Sequence, residues 1–153
     1  MTIIRILLVL VIITFFMPFY AVSCNSQDKG VIFSGFELST GKNIAGYWID
    51  GNFLGFILIV PPVILLILSL FIDDIGKIKN MIIYNIFKYM SFIAPVFDIF
   101  AVFTVRYAFR TIIFARFDKV PVLINVKSGF LLYIFFNAAV FILAVMNYFI
   151  KRE

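Results

Sequence analysis

The sequence predicts an all-α membrane protein, a four-transmembrane-helix bundle with a small extracytoplasmic β-cap. Three observations predict it. Of the 153 residues, 64% are hydrophobic and 14% charged, and 21 are Phe; soluble domains run at about 45–50% apolar and about 25% charged. Four stretches approach the roughly 20 apolar residues that a helix needs to cross about 30 Å of hydrocarbon. Two polar segments, 24–52 and 116–129, separate these stretches and carry period-two patterning. Such a chain cannot cover a water-facing surface, so residues 1–153 are expected to form one integral membrane domain.

The first span, about 6–22, runs from Ile6 to Val22 and is interrupted only by Thr14 and Pro18. Arg5 before it and Ala21-Val22-Ser23-Cys24 at its end have the form of a lipoprotein signal. Pro18 and Tyr20 fit that cleavage motif poorly, so a retained helix is expected. The second span, 53–72, carries no charge and contains Pro61-Pro62. The third comes from a helical pattern over 81–117 that is too long for one perpendicular crossing. Lys88 and Arg110, about 33 Å apart along a helix, bracket a span of about 90–110. The fourth, 130–150, has Asn137 inside it and Lys151-Arg152 as a stop.

With both termini cytoplasmic, the inner side holds Arg5, Lys77, Lys79, Lys88, Lys151 and Arg152. The outer side then holds Lys29, Lys42, Arg106, Arg110, Arg116, Lys119 and Lys127. The positive-inside count is therefore nearly level. The export-signal form of the first helix and the short Asp73-Asp74…Lys77…Lys79 turn favour cytoplasmic termini, in a bacterial inner membrane.

In the first outer segment, glycines bound the run Gly30–Gly41, and residues alternate through Phe36, Glu37, Leu38 and Ser39. That pattern reads as strand. In the second, Val122, Ile124 and Val126 alternate with Leu123, Asn125 and Lys127, a β-branched strand pattern. An isolated strand is unstable in water, so the two segments are expected to pair with each other as a cap. Their opposite charge balance agrees.

Pro18-Phe-Tyr-Ala-Val-Ser-Cys24 followed by Phe33-Ser-Gly-Phe-Glu-Leu-Ser-Thr-Gly41 resembles a pattern in small bacterial four-helix membrane proteins of unknown function. In those, a Pro-containing first helix ends in Ser-Cys and leads into a Phe-Ser-Gly…Leu…Thr-Gly outer loop. The strand-like Val122 to Gly129 before the last helix is similar to theirs as well. The resemblance covers roughly a quarter of the chain, implies a membrane bundle and brings no assigned activity with it. In architecture alone the chain is also similar to claudin-like tetraspan proteins, whose Gly-Leu-Trp and paired-Cys signature it lacks.

Chemistry-bearing residues are few. The absence of His and the single Cys exclude His-ligated metal sites, Ser/His or Cys/His catalytic pairs and an intrachain disulfide in this chain. No cofactor is expected and no enzyme activity. Cys24 is free, lipidated or bridged to another chain. The net charge of +5 is scattered at interfaces rather than gathered in a groove, so no nucleic-acid partner is expected.

Asp98 stands near the middle of the third span, where a charge costs about 2.5–3.5 kcal/mol. It is expected to face the bundle interior, find partners or be protonated, either as a proton- or ion-linked site or as a neutral or hydrogen-bonded Asp that glues helices or binds a partner subunit, with Asn137 and Asn147 as candidate contacts. Pro18, Pro61, Pro62 and Pro95 put breaks in three spans; such breaks line substrate sites in transporters or simply kink helices. Arg106 and Arg110 share a helix face and, with Arg116 and Lys119, suit lipid headgroups or interfacial anchoring. Tyr47, Trp48, Tyr107 and Tyr133 suit aromatic belts. Phe33, Phe36, Glu37 and Trp48 are the candidates for an outer interaction surface. The function expected is a structural or accessory subunit of a membrane complex, embedded in the bilayer and contacting other membrane-protein subunits or itself. The alternative is an oligomeric channel or transporter using Asp98 and the Pro-broken helices.

Overall fold

The computed structural model describes residues 2–23, 30–44, 47–74, 81–116 and 123–149. The chain is mostly helical. Helices α1 (Thr2–Phe15), α3 (Val60–Asp74), α4 (Met81–Arg116) and α5 (Ser128–Phe149) pack in a closed ring, each against two neighbours in the order α1, α3, α4, α5. Among the described residues, three segments are long and apolar enough to cross a membrane: Phe53–Ile72, Ile82–Phe114 and Ser128–Tyr148. The 14 residues of α1 rise only about 21 Å.

The expected first span, 6–22, is corrected at its C-terminal end. The helix stops at Phe15, and strand β1 (Pro18–Ser23) follows. Pro18 has no N–H to continue the helical ladder, and an extended backbone lets the chain pair on both sides. β1 is the middle strand of a three-stranded antiparallel sheet, between β2 (Val31–Ser34) and β5 (Leu123–Val126). Tyr20 pairs with Phe33 on one side and Val126 on the other. The two outer segments thus join one sheet as expected, but they do not pair with each other: β1 stands between them.

The strand expected over 30–41 is shorter and gives way to helix α2 (Gly35–Thr40). Ser34 and Glu37 close a capping box, in which Ser34 Oγ accepts from the Glu37 N–H and Glu37 Oε2 accepts from the Ser34 N–H at 2.9 Å. This arrangement nucleates a helix. A hairpin follows, β3 (Gly41–Ile44) with β4 (Tyr47–Asp50). A 3₁₀ turn (Phe53–Leu58) then leads into α3. Pro61 and Pro62 lie in the first turn of α3, where absent N–H groups are tolerated; they do not break mid-helix. Pro95 lies inside an otherwise continuous α4, and the expected span of about 90–110 is the middle of that helix.

The core divides into two clusters. One, at the sheet end, gathers Phe15, Phe19, Tyr20, Phe33, Phe109 and Phe130 among others. The other, at the far end, gathers Ile4, Leu8, Leu65, Phe87, Val140 and Tyr148 among others. Glycines allow the closest approaches between elements. A Cβ on Gly129 would lie 2.6 Å from the Pro18 carbonyl oxygen, and one on Gly35 2.7 Å from that of Phe15.

Candidate functional site

Three places concentrate polar or unpartnered chemistry. The first is a polar layer between the two core clusters. Ala94, one turn before Asp98, belongs to the far cluster, and Val102, one turn after, belongs to the sheet-end cluster. Asp98, Tyr133 and Asn137 are at most 2% exposed. The Asp98 carboxyl neighbours the Tyr133 hydroxyl, and its Oδ1 has no hydrogen-bond partner among the described residues. The Tyr133 hydroxyl donates to the Leu58 carbonyl at 2.7 Å. Helical geometry explains this bond: the N–H that closes a turn onto residue 58 belongs to residue 62, and residue 62 is proline. The carbonyl that Pro62 leaves free is satisfied across the bundle by a tyrosine 75 positions away.

Among the described residues, neither candidate contact, Asn137 nor Asn147, is recorded as bonding Asp98. Asn137 Nδ2 donates to the Tyr133 carbonyl on its own helix at 3.0 Å, and Asn147 is exposed. Tyr133, expected in an aromatic belt, is instead fully buried in this layer. The sequence signal for it was Pro62, which requires a donor from elsewhere, and a tyrosine lying inside an apolar span.

The second place is the surface beside α2. Of the outer-surface candidates, Phe36 and Trp48 are exposed, but Phe33 is not. Phe33 is 1% exposed, and its ring meets Phe109 edge-on at 5.0 Å. It points inward because alternation along β2 places it on the face that covers the bundle. Glu37 forms an ion pair with Lys42 at 2.7 Å, and Lys42 Nζ also donates to the Ile32 carbonyl at 2.8 Å. Burial opposes ionisation of Glu37, but Lys42 and the Ser34 N–H outweigh it and hold the carboxyl below its ordinary value. Rings continue around this surface: Phe16 stacks on Phe36 at 5.9 Å, Phe36 meets Phe56 at 6.4 Å, and Phe56 meets Phe53 at 5.4 Å.

The third place is a groove of about 390 Å³ between α4 and β5, lined by Phe103, Arg106, Tyr107, Arg110, Phe114, Leu123 and Ile124. Arg106 lies 5.9 Å from the Phe130 ring centre, and Arg110 lies 5.2 Å from that of Phe114. Behind Arg106 stands Tyr20, fully buried and stacked on Phe109, with a hydroxyl that has no partner among the described residues. Burial pushes the Tyr20 hydroxyl pKa up, and Arg106 partly offsets this. Of the basic set read from the sequence, Arg106 and Arg110 come together here. Arg116 ends α4, but its side chain, Lys119 and Cys24 lie outside the described residues. Tyr107 is exposed at the groove, as a belt residue would be.

No protein-family model, curated protein or solved structure matches this chain.

Proposed function

We propose that the protein is a non-enzymatic integral membrane protein of the bacterial inner membrane, acting as a structural or accessory subunit of a membrane complex. In this reading α1 completes a four-span bundle, the sheet lies on the outer side and both termini are cytoplasmic. One observation carries the proposal: the aromatic ridge Phe16–Phe36–Phe56–Phe53, in which Phe16, Phe36 and Phe53 are exposed by 57%, 43% and 80%. Aromatic side chains dominate the energetics of protein interfaces. Its central residue Phe36 sits on a capped helix and Phe53 and Phe56 on a 3₁₀ turn, so a partner meets the ridge with little ordering cost.

Purification of the full chain in mild detergent with mass measurement tests it. Stable co-purification of unlike subunits, lost on Phe36→Asp and Phe53→Asp, is the expected result. A closed homo-oligomer with a polar axial pore would overturn it. The Asp98 Oδ1, without a hydrogen-bond partner among the described residues, favours a second reading, an oligomeric channel or transporter. Its test is Asp98→Asn in liposomes: loss of a pH-dependent flux with the fold intact supports transport, and unchanged behaviour assigns Asp98 to helix packing.

A further inference from the structure

We propose that the groove between α4 and β5 binds the phosphate headgroup of an anionic membrane lipid, with Arg106 and Arg110 on the phosphate and Phe103, Phe114 and Leu123 against the start of the acyl chains. The inference rests on the membrane reading and is independent of the partner subunit. Charge complementarity is its first support. Arg106 and Arg110 are four residues apart, so their guanidinium groups emerge one above the other on one helix face. Both residues are exposed, and neither is ion-paired among the described residues. No carboxylate lines the groove among the described residues. Among the described residues no carboxylate balances these two guanidinium groups, and a phosphate accepting from them gains charge-assisted hydrogen bonds.

The lining favours a lipid over a soluble anion. A site for free phosphate is polar all round, whereas Phe103, Phe114, Leu123 and Ile124 make much of this wall apolar. The volume of about 390 Å³ falls within the range of small-molecule sites, about 300–1,000 Å³. Depth agrees as well. Both arginines lie toward the sheet end of the apolar stretch Ile82–Phe114, which is longer than the roughly 20 residues needed to cross the hydrocarbon, so this end can reach the headgroup region. Cation–π contacts with Phe130 and Phe114 hold the two guanidinium groups against aromatic rings beside the groove.

Native mass spectrometry of the purified full chain tests the site with three added probes: dioctanoyl phosphatidylglycerol, dioctanoyl phosphatidylcholine and inorganic phosphate. The expected result is one saturable copy of phosphatidylglycerol, bound in preference to phosphatidylcholine. Arg106→Gln/Arg110→Gln is expected to weaken that binding about tenfold or more, the scale of one lost charge-assisted contact. Leu123→Asp, which sets a carboxylate in the groove from β5, is expected to do the same and carries the test if the double variant fails to fold. Equal binding of the two lipids, or binding undiminished in either folded variant, overturns the proposal. Inorganic phosphate binding as tightly as phosphatidylglycerol, with the same arginine dependence, overturns the lipid assignment in favour of a soluble anion.

Discussion

Tyr133 shows how one residue ties a backbone defect to the packing of the whole bundle. Its hydroxyl meets the carbonyl of Leu58, which Pro62 has deprived of its helical donor. A buried carbonyl left without a donor costs about 1–3 kcal/mol. Tyr133→Phe is therefore expected to destabilise the protein by about that amount, read as a lowered unfolding midpoint in detergent. Pro62→Ala supplies a local N–H at the right place in the ladder, since Val63 already bonds Ile59 in this pattern. In the Pro62→Ala background, Tyr133→Phe is expected to cost less, giving a coupling in the double-mutant cycle. Full additivity would show that the tyrosine does not serve that carbonyl. Asp98 was readable from sequence as a buried polar residue, because a carboxylate in the middle of an apolar run has few other places to go. Its neighbour Tyr133 was not, because an aromatic residue in a span suits an interface as well as a core.

At the scale of elements, legibility followed the range of the interactions involved. The helices around 53–72, 90–110 and 130–150 were visible because apolar length alone specifies them. The end of α1 was harder: Pro18 signalled a break, but β1 is fixed by partners near residues 31–34 and 123–126, the latter about a hundred positions away. Helix α2 was locally legible and was read as strand. Phe36, Glu37, Leu38 and Ser39 alternate in polarity, yet Ser34-x-x-Glu37 is a capping-box signature that specifies a helix start. Ser34→Ala is expected to lose about 1 kcal/mol. Glu37 adds a pH dependence. Its carboxyl titrates below the ordinary 4.5, so its contribution is complete above that value and is lost as pH falls through the lowered one. Glu37→Gln is expected to flatten this acid limb in unfolding midpoints measured across a pH series; an unchanged limb would assign it to another carboxylate. The junction of β1 with α5 depends on space instead. Gly129→Ala drives a methyl toward the Pro18 carbonyl, which lies 2.6 Å from the added atom, and is expected to cost about 1–3 kcal/mol by overpacking.

The whole molecule has two distinguishable ends, and that polarity makes its placement in a membrane testable. Arg5 on α1 donates to the Ser69 carbonyl and hydroxyl near the end of α3. Tyr84 on α4 meets Tyr148 on α5 at 5.9 Å. The start of α1, the end of α3, the start of α4 and the end of α5 therefore share one end, and the sheet, α2 and the arginine groove share the other. The 36 residues of α4 extend about 54 Å, well beyond about 30 Å of hydrocarbon, so this helix also serves as the spine on which Phe33 and Tyr20 pack. In the proposed four-span reading, a bilayer around the bundle separates Thr40 in α2 from the end shared by the start of α1, the end of α3 and the start of α4, whichever way the protein is inserted. With Cys24 replaced by Ser, single cysteines at Thr40, Lys77 and Arg152 report on this arrangement through an impermeant maleimide. Labelling of Thr40→Cys on intact spheroplasts, and of Lys77→Cys and Arg152→Cys only after permeabilisation, is the expected pattern. The mirror-image pattern would keep the four-span bundle and invert it, moving the aromatic ridge and the arginine groove to the cytoplasmic face. Thr40 and Lys77 labelled from the same side would show that Phe53–Ile72 does not cross, and a four-span bundle cannot survive that result.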